Sequence, residues 1–115
     1  MRALLASLMI VGFGTSAGAN DSVVMGAGTA SCGEYATAYR SAPSATDDLF
    51  ISWVNGFISG MNTSAIFNDL PAKKIGTYES HKQFLHIYCD AHPLNDVGKA
   101  AVELYKSLPT TNPKK

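Results

Sequence analysis

The chain has no surplus of charge: nine lysines and arginines stand against nine aspartates and glutamates. Without a basic patch there is no electrostatic basis for holding nucleic acid or an anionic membrane surface. It has only two cysteines, Cys32 and Cys89, and no CxxC pair, so a dithiol redox centre is not expected. There is no GxSxG elbow and no cysteine left over for a Cys–His pair, which removes the usual nucleophiles. No GxxxxGK[ST] or GxGxxG stretch is present to cradle a phosphate. No segment alternates apolar and polar residues well enough to read as a strand. No apolar run reaches the roughly 20 residues that span a bilayer. These absences point away from an enzyme and from any cofactor.

What is present is helical periodicity, and it is clearest from Asp47 to Phe67. Phe50, Trp53, Val54, Phe57, Ile58, Met61 and Ala65 recur at the spacing of one buried helix face. Thr46 fits an N-cap, with Asp47 and Asp48 in the first turn where the helix dipole favours negative charge. Beside the apolar stripe run Ser52, Gly56, Gly60 and Thr63. A glycine costs about 1 kcal/mol against alanine inside a helix. Two of them, Gly56 and Gly60, therefore predict close packing by a neighbouring element. A membrane-dimer reading of this GxxxG fails, because Asp47, Asp48, Asn55 and Asn62 interrupt the apolar span.

The N-terminus reads as a secretory signal peptide over residues 1–19. Arg2 supplies the positive region, Ala3 to Phe13 the apolar core, and Ala17-Gly18-Ala19 the small residues of a cleavage site. A periplasmic or secreted location follows, with no membrane association after cleavage. In that oxidising setting Cys32 and Cys89 are expected to form a disulfide. Closing a loop of about 57 residues is worth about 4 kcal/mol on the chain-entropy account. A domain this small buries only about 60–65% of its unfolded surface, so such a staple matters.

Residues 20–30, rich in glycine and without a period, read as a flexible leader, and residues 110–115 as a disordered tail. Between them, residues 31–109 read as an all-α domain of four helices. Ser31 and Glu34 fit a capping box for the first helix, whose inner face is Cys32, Tyr35, Ala36 and Tyr39. Thr77 caps a third helix running to about Ala91, ahead of Pro93, with Tyr78, His81, Phe84, Leu85 and Tyr88 inward. Asn95 or Asp96 caps a fourth, with Val97, Ala100, Ala101, Leu104 and Leu108 inward, and Pro109 ends it.

Few side chains invite chemistry. His86 and Asp90 stand at i, i+4, with Glu79 and Gln83 along the same edge; that edge reads as a solvated face, since a metal site needs a further convergent ligand. No metal is expected. His81 falls inside the apolar face and reads as a core-edge histidine bonded to a neighbour. His92 is placed to meet the last carbonyls of its helix. Asn55 and Asn62 read as solvated polar positions. The polar loop from Asn68 to Gly76 is the candidate partner contact, carried by Asn68, Asp69, Lys73 and Lys74.

Three stretches taken together carry a resemblance. They are Trp53-Val54-Asn55-Gly56-Phe57-Ile58-Ser59-Gly60, then Phe84-Leu85-His86-Ile87-Tyr88-Cys89 with His92-Pro93, then Ala100-Ala101 and Leu104 to Leu108. This pattern resembles small exported bacterial helical proteins, among them the Tai-like and Rap-like type VI secretion immunity proteins. Ser31-Cys32-Gly33-Glu34-Tyr35 resembles the first cysteine helix of the HdeA/HdeB-type periplasmic acid chaperones. The first resemblance implies a non-enzymatic inhibitor that occludes a secreted toxin. The second implies an acid-activated chaperone that exposes apolar surface to unfolded clients. Either way the implied partner is another protein, and neither resemblance brings a catalytic residue.

Overall fold

The computed structural model describes residues 24–112 of the 115-residue chain. The expected signal peptide lies outside the described residues. Four helices follow one another: α1 (Cys32–Ser41), α2 (Pro43–Phe67), α3 (Tyr78–Ala91) and α4 (Val97–Ser107). A 3-10 turn, Gly26–Thr29, precedes them, and no named strand occurs among the described residues.

The helix ends follow local chemistry. Ser31 accepts from the Glu34 N–H while the Glu34 carboxylate accepts from the Ser31 N–H, a complete capping box. Thr77 and Ser80 form the same reciprocal pair at α3. Asp96 caps α4 by accepting from the Lys99 N–H at 2.6 Å. The start of α2 differs from expectation. Pro43 opens it, with the preset φ that suits a first helical position. Thr46 and Asp47 are consequently helix-interior residues and buried, not a cap and its first turn.

The core is a single cluster. Tyr35, Ile51, Val54, Ile58, Leu85, Val97, Ala100, Ala101 and Leu104 interlock around the Cys32–Cys89 disulfide. That bond ties the first residue of α1 to the last turn of α3, with the two Cα atoms 4.6 Å apart. The segment between α3 and α4 is fastened to the same place. The Cys32 N–H donates to Asn95 O, the Gly33 N–H to Pro93 O and the Val97 N–H to Ala30 O.

Residues 24–30, expected as a flexible leader, pack onto the domain. Trp53 Nε1 donates to Met25 O at 2.8 Å, and the indole lies so close to Gly28 that a Cβ there would stand 2.2 Å from the ring. Gly98 of α4 meets Gly28 O from the other side. Gly28 and Gly98 are therefore close-approach glycines of this junction. Gly56 and Gly60, expected to meet a neighbouring element, are exposed and have nothing within 4 Å of a Cβ position. The face of α2 that packs runs instead through Ile51, Val54 and Ile58, and α1, α3 and α4 all gather on that side.

Candidate interaction surface

The end of α2 outruns the core. Its last buried residue is Ile58, and the helix continues nine residues to Phe67, about 13 Å of further length. Along and just beyond that extension Ile66, Phe67 and Leu70 are exposed, Phe67 by 83%. Ile75, in the following loop, is exposed as well. Exposed apolar residues grouped in sequence at one helix end are a candidate interaction site.

The turn at the tip has a defined shape. Leu70 N–H donates to Ala65 O and Asp69 N–H to Ile66 O, the paired bonds of a Schellman helix end. Asp69 occupies the left-handed position with φ 54°, where glycine is usual. Asn68 Nδ2 donates back to Ser64 O at 2.8 Å. Of the four predicted contact residues, Asn68 and Asp69 therefore form the tip itself.

Lys73 and Lys74 lie further along, where the loop returns to the body. The Lys74 N–H donates to Pro109 O and the Thr111 N–H to Ala72 O, and Lys73 bridges Thr110 in antiparallel fashion. Thr110 and Thr111, expected in a disordered tail, thus form a short strap along the loop. On the inner side Asn62 holds both backbone polar groups of Lys73, at 2.8 and 2.9 Å, and accepts from the Tyr105 hydroxyl at 3.2 Å. Lys73 Nζ sits 5.9 Å from the Tyr105 ring centre, which leaves Lys74 as the outward lysine. Asn62 is thus a structural clamp rather than a solvated position.

A second polar cluster joins α1, α2 and α3. Asp47 Oδ1 accepts from the Tyr35 hydroxyl at 2.7 Å and meets His86 Nε2 at 2.8 Å, while its side chain is only 8% exposed. Burial, reinforced by the Asp47 bond, holds the Tyr35 phenol above its ordinary range. The His86 ring stacks on Tyr39 with centroids 3.9 Å apart. Tyr39 and Arg40 both donate to Asp90, at 2.7 and 2.8 Å. His86 and Asp90 are thus engaged with separate partners, and no group of three potential ligands gathers around a metal position among the described residues. Of the edge expected in solvent, Glu79, Gln83 and Asp90 are exposed and only His86 is half-buried. The missed partner of His86 is Asp47, which lies inside α2 and is buried between Tyr35 and His86.

Comparison with protein-family models, characterised proteins and solved structures gives no match to this chain. Asn55, the other asparagine expected in solvent, bonds His81 with Oδ1 2.7 Å from Nδ1. His92 Nδ1 lies 2.9 Å from Tyr88 O, at the helix end as anticipated. Among the described residues no helix is long and apolar enough to cross a membrane.

Proposed function

We propose that this chain is an exported, non-enzymatic protein-binding domain that inhibits a secreted toxin, in the manner of an immunity protein. The tip of α2 and the loop 68–76 would enter the partner's cleft. The observation that carries this is the pairing of exposed Ile66, Phe67 and Leu70 with a loop whose backbone is fixed at Lys73 and Lys74. A preorganised apolar tip loses little entropy on docking, which is how small inhibitors gain affinity. The disulfide accords with an oxidising compartment, and export through residues 1–19 belongs to the same proposal.

A photoreactive residue at position 67, in cells carrying the native gene neighbourhood, tests it. One discrete adduct is expected, lost with Leu70→Asp, and the captured protein should be toxic unless the unaltered chain accompanies it. An empty or indiscriminate adduct pattern would sink the reading.

A second reading, an acid-activated chaperone, draws support from the buried Asp47 carboxylate that links three helices. Loosening with retained helix at low pH, together with protection of an acid-sensitive client, would favour this second reading.

A further inference from the structure

His81 is 1% exposed and lies on α3 against α2. Its Nε2 is the one buried side-chain polar atom among the described residues without a hydrogen-bond partner. Gly76, the last loop residue before the Thr77 cap, covers that atom. A Cβ on Gly76 would stand 2.9 Å from Nε2 and 2.7 Å from Ser80 Oγ. The neutral ring suits this site. With Asn55 Oδ1 as the acceptor 2.7 Å from Nδ1, the tautomer that fits carries its proton on Nδ1 and leaves a bare Nε2 lone pair toward the glycine.

The protonated ring does not suit it, because imidazolium carries two N–H donors and the site offers one acceptor. A buried, unpaired, charged donor is strongly disfavoured. Burial accordingly holds this imidazole below its usual range.

No ionisable side chain from the surrounding elements accepts the second N–H. On α2, Asp47 binds Tyr35 and His86, and Asp48 binds the Tyr78 hydroxyl. On α3, Lys82 pairs with Glu79. From the loop and α4, Lys73 lies over the Tyr105 ring, and Lys74 contributes only a cation.

We propose that His81 is an acid-released latch on the loop 68–76, holding its end against α2 when neutral and freeing it when protonated. The element that yields is the loop. Residues 74–80 include no buried side chain, whereas the opposing wall of α2 is locked into the core through Ile51, Val54 and Ile58. The ring therefore leaves by lifting Gly76 and the first turn of α3. The latch concerns loop conformation alone, and its bearing on binding rests on the reading of this loop as a contact surface.

Backbone amide exchange of the whole oxidised chain, corrected for intrinsic rates at pH 7.5 and 5.5, tests it. Protection at the bonded amides of Lys73, Lys74 and Thr77 is expected to fall several-fold in acid, up to about tenfold for an opened ring of ordinary imidazole pKa, while α1 and α4 are unchanged. In His81→Phe it should not respond to pH. Equal loop protection at both pH values, or the same loss in His81→Phe, overturns the latch. If that variant fails to fold, an NMR titration of the unaltered chain decides. Gly76 and Thr77 amides that shift with the His81 ring support the latch. A ring titrating in the ordinary imidazole range with those amides unmoved overturns it. Because this readout needs no partner, its failure leaves the binding proposal standing, and an absent adduct at position 67 leaves the latch standing.

Discussion

Asn62 grips Lys73 by both backbone polar groups, its Nδ2 donating to the carbonyl and its Oδ1 accepting from the N–H. A side-chain amide here does the work of a neighbouring strand, fixing the loop to α2. Asn62→Ala leaves that peptide and the Tyr105 hydroxyl short of a partner. We expect a loss of about 1–3 kcal/mol, seen in urea denaturation, with amide protection lost first at residues 72–74. A variant as stable as the parent would show that water replaces the clamp.

Asp47→Ala removes the acceptor shared by Tyr35 and His86. Since Tyr35 is fully buried, its hydroxyl is stranded, and a cost of about 2–3 kcal/mol is expected. Asp47→Asn keeps an acceptor and should cost clearly less. Denaturation of both variants alongside His86→Ala, as a double-mutant cycle, separates the two bonds.

The Tyr35 phenol makes alkaline stability pH-dependent. Its folded pKa is raised, by burial first and the Asp47 bond second. The associated stability is complete below the ordinary phenol value of about 10 and lost as pH rises through the folded value. Absorbance near 295 nm should therefore show one tyrosine ionising only as the helical signal collapses. Tyr78, pushed up to about 12 by its bond to Asp48, is exposed enough to ionise without unfolding. If every tyrosine ionises before the helices melt, this assignment fails.

The glycines divide into two groups with opposite expected signs. Gly28→Ala drives a methyl into the Trp53 ring and should cost about 1–3 kcal/mol through overpacking. Gly56→Ala and Gly60→Ala meet nothing and should each stabilise by up to about 1 kcal/mol. Thermal melts of the three variants give the comparison directly.

The helices were legible because their signals are local. Ser31 with Glu34, Thr77, Asp96 and the apolar rows of α3 and α4 each specify a boundary or a face within a few residues. The start of α2 was not, since Pro43 can either open a helix or end one, and the choice depends on what Thr46 and Asp47 meet across the core. The partners of Asn55, Asn62 and Asp47 lie 11 to 43 residues away in sequence, a distance over which no periodicity carries information. Gly56 and Gly60 misled for the same reason. Spacing shows that a glycine lies on a given face but not whether anything approaches it. The candidate loop was visible as a polar interruption, while its apolar tip came from the same residues that mark the end of α2.

The covalent ring closed by Cys32 and Cys89 encloses α1, α2, the loop and most of α3, while α4 and the strap at Thr110 and Thr111 lie outside it. The loop is thus inside the ring, and part of what holds it is outside. If α4 peels away, the ring keeps the remaining helices tethered while the loop loses the strap and the Tyr105 contact together. Partial opening from the C-terminal side would then reshape the loop while the chain stays covalently closed around α2.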